Sequence, residues 1–162
     1  MNTAVSKSVL AILLGLLVVF SGPSIANERY GKQKVVYHIN GDDPIQQEAA
    51  LRNIQNHINA VGAENLDLKV VLHGDGLSLL LEPDSLKKLT QFNYANATEL
   101  MTARIDGLKN QGVSFKVCGF TIKGRNIDLN TDLYSVDPED VVPSGVAELA
   151  YLQLQGYAYI KP

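Results

Sequence analysis

Tryptophan is absent from this chain, methionine occurs twice and cysteine once. A single cysteine excludes an internal disulfide, so burial alone must hold the fold. The lack of a CxxC pair also excludes dithiol exchange within one chain. There is no excess of basic residues: 14 Lys plus Arg stand against 17 Asp plus Glu. That balance argues against a nucleic-acid binder, which carries a basic patch or stripe. Internal repeats and low-complexity stretches are missing. Gly74-Asp75-Gly76 lacks the lysine and the longer glycine pattern of a phosphate loop, so it reads as a turn. Ser144 has no nucleophile elbow around it, which argues against a serine hydrolase. Only one long apolar run is present, Val9 to Phe20, interrupted at Gly15. It is shorter than the ~20 residues of a membrane-spanning helix.

That run has the marks of a secretory signal. Lys7 precedes it, Ser21-Gly22-Pro23 breaks it, and Ser24-Ile25-Ala26 places small residues at a cleavage site. The reading is a cleavable signal peptide over 1–26 and a single domain over 27–162, periplasmic or secreted, with no membrane attachment after cleavage. Without Lys7 the mature chain has 13 basic and 17 acidic residues, a net charge of −4. Its length suits one domain with one core.

Along the chain, strands alternate with helices. Lys34 to Ile39 is β-branched and aromatic, with nearly continuous apolar residues, as in a strand covered on both faces. Asp43 can cap, and Pro44 can open, a helix running to Val61, with Gly62 as its stop. Leu66 to His73 reads as a second strand and Leu77 to Leu81 as a short apolar helical turn. Pro83 can start another short helix through Leu89. Asn96 or Thr98 caps a helix over Glu99 to Asn110. Val113 to Cys118 is a third strand and Val141-Val142 a very short one. A last helix begins at Pro143-Ser144-Gly145, and Tyr157 to Ile160 closes the chain as a strand. The pattern predicts an α/β fold: three layers, α/β/α, around a mostly parallel sheet of four or five strands.

In such sheets the loops at the carboxyl ends of the strands collect at one edge, where ligands bind. His38 ends the first strand, His73 the second and Cys118 the third. Asp42, Asp43 and Asp75 add acids to the same rim. Cys118 is the sharpest candidate. Its thiolate is the useful form, and a helix beginning beyond Gly119, or a nearby imidazolium, would favour it. A buried cysteine closing a core strand accounts for the same residue. His38 and His73 are candidate neighbours, and Asp75 is placed to orient one of them; a lone histidine at a strand end is more often a hydrogen-bonded structural residue. Two histidines, a cysteine and an aspartate could satisfy zinc, yet no close ligand spacing supports a metal, and no cofactor motif is present. His57, on a helix among polar neighbours, reads as a surface residue. The N–H groups at Ser144-Gly145 could hold an anion, although capping is their usual role.

Several segments together resemble the DsrE/DsrF-like family, in its exported, single-domain form. They are Lys34 to Asn40 with the helix that follows, Val70-Val71-Leu72-His73-Gly74, Gly112-Val113 through Cys118-Gly119, and the tail from Val142-Pro143-Ser144-Gly145-Val146-Ala147-Glu148-Leu149 to Pro162. The resemblance covers essentially the whole mature chain. It implies a three-layer α/β/α fold, assembly into trimers or hexamers, and a cysteine at the position of Cys118 that accepts sulfane sulfur as a persulfide and passes it to a thiol or sulfur-carrier partner. Those relay proteins are cytoplasmic hetero-oligomers, whereas this sequence reads as exported. A non-catalytic oligomeric scaffold with a structural cysteine is the alternative, and a thiol redox sensor forming intermolecular disulfides is a third.

Overall fold

The computed structural model describes residues 29–162; the expected signal segment, 1–26, lies outside them. Five strands form one sheet: β1 (Gln33–Ile39), β2 (Leu66–Leu72), β3 (Ser114–Cys118), β4 (Val141–Val142) and β5 (Ala158–Ile160). Their spatial order is β4-β3-β2-β1-β5, and every neighbouring pair is parallel. Four helices alternate with them: α1 (Pro44–Val61), α2 (Glu99–Lys109), α3 (Gly119–Gly124) and α4 (Gly145–Leu154). The α/β fold expected from the alternation is the one observed.

The strand order explains which face each helix covers. From β1 to β4 the chain always steps in the same direction across the sheet. Only the last crossover reverses, to place β5 on the far side of β1. Right-handed crossovers put helices on opposite faces when the direction reverses. Accordingly α1 and α2 share one face, and α4 alone covers the other.

The first face is deep. Val35, Tyr37 and Ile39 of β1, Leu68, Val70 and Leu72 of β2, and Phe115 and Val117 of β3 pack against Leu51, Ile54 and Ile58 of α1 and Met101, Ile105 and Leu108 of α2. The expected apolar turn after β2 is a 3₁₀ helix, Gly74–Leu80, whose Leu77, Leu79 and Leu80 are fully buried in the same core. The second face is shallow: Val36 and Val71 meet only Leu149, Leu152 and Tyr157.

Local chemistry sets the element ends. The Asp43 carboxylate accepts from the N–H groups of Ile45 and Gln46, and Pro44 opens α1 as expected. Thr98 stands at the cap position of α2 without a capping hydrogen bond from its side chain. Asn96 is instead buried, and it donates to the Gln47 side chain (2.7 Å) and to the Asp42 carbonyl (3.0 Å). Gln47 donates in turn to Ser78 Oγ (2.8 Å) and to the Gly41 carbonyl (2.7 Å). This buried network ties the loops after β1 and β2 to each other. Gly76 lets them close: a Cβ there would lie 2.1 Å from the Ile39 carbonyl oxygen. The carboxyl edge of the sheet is therefore a braced rim.

Candidate functional site

The strand register brings the chemistry together. Leu72 pairs with Val117, so the next residues, His73 and Cys118, leave adjacent strands side by side. His38 pairs with Val71, which places it diagonally across from His73. Side chains alternate along strands. His38 and Cys118 therefore share the face of Val36 and Val71, under α4, and His73 continues it.

His38 is buried, and both of its ring nitrogens are engaged. Nδ1 meets the Tyr159 hydroxyl at 2.6 Å, and Nε2 meets His73 Nε2 at 2.7 Å. The two imidazole planes lie within 24° of parallel, with centroids 4.7 Å apart. A nitrogen contact of 2.7 Å is closer than face-stacked rings can approach, since van der Waals contact falls at ~3.5–4.0 Å. The rings therefore meet edge to edge, in a hydrogen bond that needs one neutral ring as donor and the other as acceptor. Burial lowers the pKa of His38 to about 4, helped by the nearby His73 and Lys161. Burial, and then Lys161, also lower that of His73.

Cys118 is 5 % exposed, yet its surroundings are polar. It occupies the cap position of α3, and the first residue of α4 lies against it: a Cβ on Gly145 would stand 2.9 Å from the His73 Cβ and 3.3 Å from the Cys118 Cβ. Glycine is the residue that lets the start of α4 approach this closely. Burial raises the thiol pKa. Hydrogen bonding from the backbone of Gly145, from the side chain and backbone of Thr121 and from the backbone of Phe120 lowers it, and the net shift is downward. Thr121 Oγ1 also accepts the Gly74 N–H (3.0 Å), which leaves its proton free for the sulfur. The cysteine is thus buried without being in an apolar pocket. Backbone dipoles at the starts of two helices favour its charged form.

Asp75 lies on the same rim but serves another cation. Its carboxylate pairs with Arg125 at 2.6 Å, and that guanidinium sits over the Phe92 ring, 4.3 Å from its centroid. Asp42 accepts from Asn93, and Asp43 caps α1. His57 is on the opposite face, half-buried between the Tyr37 hydroxyl (3.1 Å) and the Gln33 side chain (2.8 Å). Ser144 caps α4 by accepting from the Ala147 N–H (3.3 Å). Among the described residues, no group of three or more His, Cys, Asp or Glu is arranged to hold a metal ion, and no helix is long and apolar enough to cross a membrane.

Sequence reasoning passed over Thr121 and Tyr159, and it named the N–H groups at Ser144-Gly145 without their approach to Cys118. Thr121 carried a signal: it stands three residues after a cap position, where side chains turn back toward the cap. Tyr159 carried only its place on the last strand, because its contact with His38 spans 121 positions and depends on β5 pairing with β1.

Comparison with known proteins agrees with this architecture. A family model described as the DsrE/DsrF-like family matches residues 34–162. Among solved structures, a protein of unknown function, MTH1491 from Methanobacterium thermoautotrophicum, is 27 % identical, with a TM-score of 0.63, over 81 % of this chain and 100 % of that one. The ychN protein from E. coli is 20 % identical, with a TM-score of 0.57, over 80 % of this chain and 99 % of that one. No curated protein matches significantly.

Proposed function

Because the chain belongs to the DsrE/DsrF-like family, we propose that it is an exported sulfur carrier whose working group is Cys118. In the loading step the Cys118 thiolate attacks the outer sulfur of a low-molecular-weight persulfide or polysulfide. The donor's S–S bond breaks, a new S–S bond forms on Cys118, and the donor leaves as its thiolate. Unloading is the same exchange in reverse sense: a partner thiolate takes the outer sulfur, and Cys118 returns to the thiolate. No external oxidant or reductant is consumed.

The observation that carries this reading is the seat of Cys118 at the start of α3 with the first residue of α4 packed against it, where backbone groups lower the thiol pKa. The same groups favour the thiolate before loading and the charged persulfide after it. His73 leaves the neighbouring strand at the level of Cys118. A buffered incubation with polysulfide, followed by cyanide treatment, tests the reading. The mature protein yields thiocyanate in proportion to chain concentration, and Cys118→Ser yields none above a no-protein control. Equal yields from both would sink it.

A second reading, an oligomeric scaffold with a structural cysteine, draws on α4. Buried Leu149 and Leu152 face the sheet, but Val146, Tyr151 and Leu154 are 63 %, 56 % and 85 % exposed. A helix apolar on all sides belongs in a covered setting. We take α4 as the contact through which copies of this chain assemble, in either reading. The two differ in whether Cys118→Ser changes anything beyond packing.

A further inference from the structure

The helix that Cys118 caps cannot hold its own place. α3 has six residues, and none of them is fully buried. An isolated helix shorter than ~12 residues is marginal in water, so contacts from outside must fix its position. Ile122 gives it a partial foothold on the core. Polar contacts from two loops do the rest. On the β4 side the Phe120 N–H donates to the Pro143 carbonyl (3.2 Å). On the β2 side the Gly74 N–H donates to Thr121 Oγ1 (3.0 Å), and Asp75 pairs with Arg125 (2.6 Å).

The two contacts on the β2 side are in step. Gly74 and Asp75 are consecutive, and Thr121 and Arg125 lie about one helical turn apart. The loop after β2 therefore grips α3 at its third residue and just past its end. Arg125 closes the helix: its N–H donates to the Thr121 carbonyl (3.0 Å), so a fixed Arg125 also fixes the last turn. The far side of Arg125 is anchored as well. Its guanidinium lies over the buried Phe92 ring, and the Gln91 side chain donates to its carbonyl (2.8 Å). Its Nη1 is buried and makes no hydrogen bond, which leaves Asp75 as the carboxylate that holds it.

We propose that Arg125, through its ion pair with Asp75, is a positioning residue for Cys118: it fixes α3, and with it the backbone from Cys118 to Thr121, against the loop after β2. The inference rests on Cys118 being the working thiol. Burial raises the Cys118 pKa, and hydrogen bonding from Gly145, Thr121 and Phe120 more than offsets it. Two of those three residues belong to α3. Their contribution depends on where the helix sits, so a loosened α3 makes the thiol harder to ionise.

Iodoacetamide modification of Cys118, followed against pH in the native protein, tests this in Arg125→Gln, Asp75→Asn and the double variant. The two residues carry opposite charges, which separates positioning from simple electrostatics. By charge alone, removing the anion would move the profile down in pH and removing the cation would move it up. Loss of positioning moves both up, by about half a pH unit, a roughly threefold slower reaction below the midpoint. The double variant should match the single ones, because each already breaks the one contact. Shifts in opposite directions, profiles superimposable on the wild type, or shifts that add in the double variant overturn the proposal. So does a wild-type thiol that iodoacetamide reaches only after unfolding. Should Arg125→Gln fail to fold, Asp75→Asn decides alone, since it keeps the size of a side chain that is 50 % exposed; an upward shift there supports the proposal, and a downward or absent shift overturns it. Iodoacetamide reads the thiolate whether or not the protein carries sulfur. Upward shifts with no cyanide-releasable sulfur on the wild type would therefore contradict the sulfur-carrier reading and leave the positioning role standing. Unmoved profiles beside released sulfur would do the reverse.

Discussion

The two faces of the sheet differ in depth and in chemistry. Under α1 and α2 lie apolar side chains contributed by three strands, two helices and a buried 3₁₀ segment. Under α4 lie two valines, two leucines and a tyrosine, and then His38, His73 and Cys118 toward the carboxyl edge. The first face is built to hold the fold. The second gives up apolar contact to hold hydrogen-bonded rings and a thiol. One topological fact produces the division, since a single reversed crossover leaves a single helix on that side.

The comparison can be broken at the core first. Leu79→Ala removes a side chain with no exposure and should cost toward the top of the usual range of about 2–5 kcal/mol. Leu152→Ala, on the shallow face, should fall at the low end of that range, because fewer neighbours lose contact. Denaturant titration of both variants checks the ranking; equal losses would mean that the two faces contribute alike.

Acid should act through the shallow face. The pKa of His38 is held at about 4 in the fold, while an unfolded histidine titrates near ~6.5. Between these values the unfolded chain binds a proton that the folded chain does not. Stability is therefore full above the unfolded value and falls as pH drops toward 4, by up to ~1.4 kcal/mol per pH unit for one histidine. Below 4 this contribution levels off. Thermal unfolding of the wild type and of His38→Gln between neutral pH and pH 4 should show a slope in the first that is reduced in the second. Identical slopes would mean that the ring pair does not resist protonation.

The smallest effect on folding is expected on the outside of α4. Leu154→Glu replaces an 85 % exposed side chain and should change monomer stability by no more than about 0.5 kcal/mol. Light scattering should nonetheless show a lower assembly mass than the wild type. An unchanged mass would rule out this face as the contact between copies.

Much of this arrangement was legible in the sequence because it is periodic or local. Continuous apolar strands announced a sheet covered on both faces, Asp43-Pro44 marked the start of α1, and the last residues of three strands named His38, His73 and Cys118. What was hidden depends on register and crossover. No local pattern says that β5 returns to β1, so Tyr159 could not be joined to His38. None says that Gly145 lies against Cys118, because that approach is made by the start of a helix much further along the chain. Asp75 was placed on the right rim, but its partner, Arg125, belongs to the segment after α3, whose course the sequence left open.

The central question is whether the fold keeps Cys118 ready to react. Treating the native protein with iodoacetamide at neutral pH, and counting modified chains by intact mass, asks this directly. A poised thiol predicts complete modification of folded protein, with a pH midpoint below the ~8.5 of a free thiol. A cysteine that stays unmodified until denaturant is added would contradict it.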